Sequence, residues 1–391
     1  LSTIYKTLPG DTFAEIARKT VGSELEELAI RQANPGVLEP LTVGLEILIP
    51  SVQKTQKKAP EIQDKDQASI SVDGRSVTFF TDYTIKKTLD SIDTASFSAP
   101  FKSLGFKPLT FPDCDIFLGK EPLFSGTIVD VSVNFNTQGV TSDYTCYSKA
   151  GVLNECMAPI SAFPLEFRNL DLKQISEKVT APYGIGVDFL SAPGGPFVQV
   201  ALDPTQNILK FLMDLAKQRN LLVRSDPEGK LVFESHVASG APVAVLKEGE
   251  SAILNIEVDF DPQNYFSHIT GITSGNVYKP STNFTAKNSR LNNVLRNFNF
   301  NIEDGGAKTA TESKLRRMIL NSVKYSFSVP SLRDPSGALW APNTTIKLLY
   351  PSVFIEKEFE FLIETVTLKS DRTASLEVVP TIDSVGLPWD A

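Results

Sequence analysis

The segment IVDVSVNFN, residues 128 to 136, sets the fold class of most of this chain. Val129, Val131, Val133 and Phe135 alternate with Asp130, Ser132 and Asn134. Successive side chains of a β-strand point to opposite faces, so this period of two predicts a half-buried antiparallel strand. The same logic extends upstream. In ISVDGRSVTFF (70–80), Ile70 and Val72, an Asp73-Gly74 turn, and Val77 and Phe79 spell a hairpin. CDIFLGKEPLFSGT (114–127) repeats it around Gly119-Lys120. Residues 70–160 therefore read as a first small β-barrel or sandwich.

Downstream the period changes. Leu172, Ile175 and Val179 mark a helix that stops near Pro182. In LDPTQNILKFLMDLAKQRN (202–220), Asp203 is the expected N-cap, Pro204 a first-turn proline and Gln206 the box partner. Ile208, Leu209, Leu212, Leu215 and Ala216 form the buried stripe of that helix. LLVRSDPEGKLVFES (221–235) follows as a hairpin, so 161–244 reads as a small α/β unit. From 245 to 391 strands return in SAILNIEVDF, SHITGIT, NTTIKLLY and EFEFLIETVTLKSDRTASLEVVP, which predicts a second β-barrel. TATESKLRRMILNSVKY (309–325) reads as a helix, or as a helix running into a strand.

The first fifty residues form a separate module. A short strand, STIYKT, is followed by a helix from Thr12 with Asp11 as its cap and Phe13, Ile16 and Ala17 inside. Ser23 and Glu26 have capping-box spacing for a second helix with Leu25, Leu28 and Ala29 inward. Asn34-Pro35-Gly36 ends it, and LEILIP closes the unit as a strand. The order is β-α-α-β. Residues 51–69 are polar, charged and poor in large apolar groups, which is linker composition.

Bulk properties exclude several classes. The chain has 391 residues, enough for two to four domains at about 100–200 residues each. Its net charge of −8 gives no general electrostatic reason to bind nucleic acid. Three cysteines, Cys114, Cys146 and Cys156, do not make a disulfide framework, so free thiols in a reducing cytosol are expected. No apolar run approaches the roughly 18 residues of a membrane span, and no basic-then-apolar leader opens the sequence.

Catalytic signals are sparse. His236 and His268 are the only histidines and have no ligand partners at metal spacing, so no metal and no cofactor is expected. Cys114, between Asp113 and Asp115, leads into a strand rather than opening a helix, where a nucleophilic thiolate would be stabilised. No carboxylate pair stands in a recognisable glycosidase context. PYGIGVDF and SAPGGPF lack the lysine and the strand–helix setting of a phosphate loop. Asn283 and Asn343 open glycosylation sequons that a cytosolic chain leaves bare. Lys314, Arg316 and Arg317 form a short basic cluster, read as a solvated face or a partner contact. No catalytic residue is assigned.

Two resemblances organise these readings. YKTLPGDTFAEIARK, QANPG and LTVGLEILIP, with the β-α-α-β order, resemble a LysM domain. That resemblance implies a ligand surface on two loops, here Pro9, Gly10, Asp11 and Thr12 with Asn34, Pro35 and Gly36. The insert VGSELEELAIRQANP is more similar to LysM-like domains of phage tail proteins, which favours neighbouring baseplate proteins over peptidoglycan as its partner. Residues 70–390 resemble the baseplate hub of contractile phage tails, the family of Mu-like hubs and late-control D proteins. The collinear segments include DYTIKKTLDSIDTASFSAPF, IFLGKEPLFSGTIVDV, YTCYSKAGVLNECM, LKQISEKVTAPYGIGV, LKEGESAILNIEVDFD and LWAPNTTIKLLYP.

The hub resemblance implies a homotrimeric ring in which each chain supplies two β-barrels. Such a ring joins a tail tube or tube initiator above to a central spike below during host attachment and genome injection. It would sit in the virion's tail baseplate after assembly in the host cytoplasm. Two alternatives stand beside it. One is a peptidoglycan-binding cell-wall hydrolase or its LysM-anchored accessory. The other is the hub of a phage-tail-like bacteriocin or secretion injector.

Overall fold

The structure is a computed structural model that describes residues 3–20, 27–37, 39–49, 66–77, 79–100, 109–136, 139–236, 241–273, 283–302, 307–381 and 387–389. The chain divides into two compact units, Leu1–Gln63 and Asp64–Ala391. The Ser23–Glu26 capping box, and residues 51–65 of the expected linker, lie outside the described residues.

In the first unit, strand Thr3–Lys6 pairs antiparallel with Glu46–Ile49, and helices Phe13–Thr20 and Glu27–Ala33 lie between them in sequence. Phe13, Ile16, Ala17, Ile30, Leu41, Ile47 and Ile49 make its core. Arg31 ties this small core together. Its guanidinium bonds Glu27 and Glu39, each at 2.7 Å, and lies 4.7 Å from the centre of the Phe13 ring.

The second unit is built on a sheet of thirteen strands. The long hairpin of Glu121–Asn136 and Gly139–Ser148 lies within it, flanked by Asp113–Leu118 on one side and Thr94–Ala99 on the other. Asp82–Thr88 pairs with Thr94–Ala99 and, on its other edge, with Ile355–Lys369, from Thr84 opposite Lys369 to Thr88 opposite Thr365. The ladder then continues through Ala374–Pro380, Val323–Val329 and Asn255–Phe260. The two β-rich regions thus share one ladder. They also share one core, in which Ile85, Phe97 and Tyr144 belong to the same cluster as Tyr325, Phe361 and Leu376.

The segment 128–136 departs from its expected half-burial. A bulge between Ile128 and Asp130 breaks the alternation, and Ile128 is the residue that enters the core. Pairing with Asp113–Leu118 ends at Thr127, so beyond that point the strand has only its hairpin partner. The outer half leaves the core, with Val133 49% and Phe135 84% exposed. Phe79, expected to face inward after the Asp73-Gly74 turn, is likewise exposed, whereas Val77 is buried. Asp73 (φ 48°) and Gly74 (φ 72°) supply the two left-handed residues of a tight hairpin turn.

The middle unit has its own core, centred on helices Leu172–Thr180 and Ile208–Gln218. The helices pack on two small sheets. One pairs Glu166–Leu170 with Phe197–Ala201, and the other places Leu231–Glu234 between Val187–Phe189 and Leu222–Ser225. The Asp171–Gln174 capping box starts the first helix. The second is capped by Asn207, whose Oδ1 accepts from the Lys210 N–H at 2.8 Å. Asp203 instead closes the preceding turn by accepting from the backbone and hydroxyl of Thr205. The expected stripe from Ile208 to Ala216 is buried throughout, with Phe211 added.

SHITGIT does not join the large sheet. His268–Thr273 is the centre of a separate three-stranded sheet, antiparallel to Asn283–Lys287 and parallel to Asn297–Ile302. Helix Ala307–Asn321 packs on it and runs into strand Val323–Val329. No helix among the described residues is long and apolar enough to cross a membrane.

Candidate functional site

The two loops of the first unit are built differently from the expectation. Asp11 is not the helix cap. Thr12 Oγ1 accepts from the Glu15 N–H at 3.2 Å, and Glu39 accepts from the Phe13 N–H at 2.7 Å. The chain turns at Pro9-Gly10, where Gly10 has φ 84°, and this sends the Asp11 carboxylate inward. There it accepts from the Leu8 N–H (2.7 Å), the Tyr5 hydroxyl (3.0 Å) and the Lys19 ammonium (2.7 Å). The Lys19 bond, followed by the Leu8 bond, holds the Asp11 carboxyl below its usual range. Asn34 is also committed internally: its Nδ2 donates to Ile30 O and Leu48 O, and its Oδ1 accepts from Leu48 N, each at 2.8 Å. Pro9, Gly10, Thr12, Pro35 and Gly36 remain exposed. No hydrogen bond joins one loop to the other among the described residues.

The enzyme candidates in the second unit do not converge. Cys114 is fully buried on strand Asp113–Leu118. Its thiol pKa is pushed well up, first by hydrogen bonding with Cys146 and then by burial, the opposite of what a nucleophile needs. His268 lies on the separate sheet, with Nδ1 3.0 Å from the Ser267 hydroxyl. No group of three or more His, Cys, Asp or Glu that could hold a metal occurs among the described residues.

His236 follows strand Leu231–Glu234 and lines a cavity of about 800 Å³ bounded by helix Ile208–Gln218, helix Ala307–Asn321 and the large sheet. Burial, and then the charge of Arg317, push its pKa down to about 4, so the ring is neutral at pH 7. Arg317 is not a solvated member of its basic cluster. It pairs with Asp90 and donates to Leu221 O at 2.8 Å, fastening the helix to the sheet and to the α/β unit. Lys314 lies over the Phe298 ring at 5.2 Å, and Arg316 is exposed. The cavity brings together the neutral His236 ring and the Arg317–Asp90 pair, and Ser313, the hydroxyl among its described lining residues, donates to Asn220 Oδ1 at 3.0 Å rather than to a base.

The fold has counterparts among solved tail and secretion-system proteins. The fold is similar to the 43 kDa tail protein of prophage MuSo2 from Shewanella oneidensis, with a TM-score of 0.69 and 22% identity, covering 80% of this chain and 98% of that one. A tail protein from Neisseria meningitidis MC58 gives a TM-score of 0.69 at 17% identity, covering 82% and 98%. An Escherichia coli component of the type VI secretion system gives 0.53 at 14% identity, covering 80% and 76%. The family described as baseplate hub protein gp44-like, second domain, matches residues 150–235, which include most of the α/β region. Baseplate hub protein gp44 of Escherichia phage Mu is 24% identical over 239 residues, or 56% of this chain and 61% of the Mu protein. The chain is thus similar to baseplate hub proteins in its α/β region and, at low identity, over about half its length, and it spans less than two thirds of the Mu protein.

The sequence reading missed the Arg317–Asp90 clamp and the Asn34–Leu48 bridge. Arg317 sits beside Lys314 and Arg316 in a run that looks solvated, and its partner is 227 residues away. Asn34 carries an ordinary helix-ending signal, and nothing in QANPG shows that its amide reaches a strand fourteen residues on.

Proposed function

We propose that this chain forms the trimeric ring of a contractile-tail baseplate, joining the tail tube to the central spike during attachment and genome injection. The observation that carries the reading is the fused sheet. Two β-rich regions are held in one continuous ladder through Asp82–Thr88 and Ile355–Lys369. Three copies then present six β-rich faces, suited to a sixfold tube on one side and a threefold spike on the other. The exposed apolar residues of the long hairpin, Val133, Phe135 and Val140, suit a contact buried on assembly. Electron microscopy of the purified chain is expected to show a threefold ring with a lumen, and a single copy per assembled tail would overturn the reading. The same hub serves a phage, a tail-like bacteriocin or a secretion injector.

In this reading residues 1–50 are a LysM-like docking module for neighbouring baseplate proteins, 51–69 a linker, 70–160 and 245–391 the two barrel-like parts, and 161–244 the α/β insertion. The internal use of Asp11 and Asn34 favours protein docking over peptidoglycan. Assembly takes place in the host cytoplasm.

A further inference from the structure

Phe260, Phe354 and Trp389 come from three separate stretches of the second unit: the end of strand Asn255–Phe260, the corner after Pro351–Val353, and the segment 387–389. They meet at the surface. Phe260 lies 6.0 Å from Phe354 and 5.4 Å from Trp389, centroid to centroid, with both pairs edge-to-face. All three remain open, at 44%, 57% and 41% exposure. Phe354 is held at φ 67°, ψ 26°, a left-handed conformation that glycine adopts freely and a bulky residue rarely does. Its neighbours impose this. The Phe354 N–H bonds Pro351 O at 3.1 Å, the Tyr325 hydroxyl holds Val353 O at 3.1 Å, and Ile355 is fully buried. The strained position thus carries an aromatic ring that packs on Phe260 and stays more than half exposed. Exposed aromatic clusters of this kind anchor protein interfaces.

The surroundings define the partner. Asp259 and Asp261 flank Phe260, Glu356 stands two residues beyond Phe354, and Glu248 accepts from the Ser352 N–H at 3.2 Å and from its hydroxyl. Bonds from Ser352 to Glu248, and from Asn264 and Gln263 to Asp261, hold those two carboxyls below their usual range, so both stay charged at pH 7. None of the four has an ion-pair partner among the described residues. Lys247 is taken by Glu358, and Lys324 by Glu364 and Glu377. A second copy docking through the same patch would set these acids against themselves, in a chain whose net charge is already −8.

We propose that the Phe260–Phe354–Trp389 cluster is a docking surface for a different tail protein, one presenting an apolar recess bordered by Lys or Arg. This rests on the hub reading and adds a contact to it. The test uses the full-length chain, supplied in trans to a producing strain lacking its own hub gene, with hub content of purified tails measured by quantitative mass spectrometry. Phe354→Gly removes the ring and frees the strained backbone. It is expected to leave the purified protein's unfolding midpoint equal to or above wild type while lowering hub content in tails at least tenfold. Trp389→Ala and the charge-reversed pair Asp259→Lys/Glu356→Lys should lower it in the same direction. A photo-crosslinker at position 354 should attach a non-hub tail protein at a segment containing Lys or Arg. Wild-type incorporation of all three variants, or crosslinks only to another hub copy, would overturn the proposal. Absence of the wild-type chain itself from tails would instead overturn the hub reading on which it rests.

Discussion

Asn34 and Leu48 exchange two hydrogen bonds, Asn34 Nδ2 to Leu48 O and Leu48 N to Asn34 Oδ1, both at 2.8 Å. The side chain stands in for a neighbouring strand and covers the outer edge of Glu46–Ile49. An uncovered edge is a template for pairing with other chains, so this one residue both ends a helix and closes a sheet.

Replacing Asn34 with Ala should therefore weaken the first unit by about 1–3 kcal/mol, the range for losing hydrogen bonds that leave backbone groups unpaired. Hydrogen exchange on the full-length protein is the measurement. The Leu48 amide should exchange faster in the variant, while the buried strands of residues 66–391 keep wild-type protection. An unchanged Leu48 amide would contradict the bridge.

Arg317 fastens helix Ala307–Asn321 to Asp90 and to Leu221 O, with its side chain 13% exposed and that of Asp90 23% exposed. Arg317→Met leaves Asp90 without its cation. Losing one partner of a buried pair costs about 3–5 kcal/mol, and partial exposure reduces this to about 2–3 kcal/mol. Denaturant unfolding of the single variants and of Arg317→Met/Asp90→Asn should show the double variant costing less than the sum. A second readout is local: with Arg317 removed, the His236 pKa should rise from about 4, because that charge is one of the causes holding it down. The chain has two histidines, so ring titration by NMR resolves it.

What the sequence revealed, and what it hid, follow from the range of the interactions. Period-two runs at 70–76 and 114–127 and the stripe from Ile208 to Ala216 are local signals, and strands and a helix formed there. The seam between Asp82–Thr88 and Ile355–Lys369 joins residues more than 260 positions apart, and neither strand's pattern names its partner. The exposed outer half of the long hairpin was hidden because alternation reports a two-faced strand, not whether a core lies beneath one face. At the candidate loops, Pro9-Gly10 and Asn34-Pro35-Gly36 announced turns. The inward rotation of Asp11 depends on Tyr5 and Lys19, which no capping rule includes.

Asp93 gives the fold a pH dependence. It is 4% exposed, its N–H donates to the Ser225 hydroxyl at 2.8 Å, and burial raises its carboxyl pKa from 3.8 to about 7 against the opposing pull of Lys87 and Arg224. Between those two values the folded chain binds the proton more tightly than the unfolded chain. The Asp93 contribution is therefore fully present below pH 3.8 and is lost as pH rises through about 7. His236, lowered to about 4, acts with the opposite sign between that value and 6.5. The informative quantity is the difference between wild type and Asp93→Asn. That difference should shift in the variant's favour by about 2–4 kcal/mol between pH 4 and pH 7.5, at roughly 1.4 kcal/mol per pKa unit. Chemical denaturation at a series of pH values measures it, and a pH-independent difference would mean that Asp93 titrates normally.

The first unit should bind chitin oligomers and peptidoglycan fragments weakly or not at all. A sugar hydroxyl needs free donors and acceptors, and the polar side chains on the two loops are committed elsewhere. Asp11 holds Leu8, Tyr5 and Lys19, Asn34 holds Ile30 and Leu48, and Thr12 caps its helix. Sugars are also commonly held on aromatic faces. The unit has no Trp; Phe13 is fully buried beneath Arg31, and the Tyr5 hydroxyl is bonded to Asp11. What remains exposed is Pro9, Gly10, Pro35 and Gly36, which offer mainly backbone groups. By contrast, Ile4 at 62% and Leu48 at 40% exposure face each other across the two strands, an apolar pair suited to another protein. Titrating the full-length chain with chitin oligomers while following residues 9–12 and 34–36 by NMR tests the point. Shifts that fail to saturate below millimolar concentration are expected, whereas saturation at sub-millimolar concentration centred on those residues would restore the wall-binding reading.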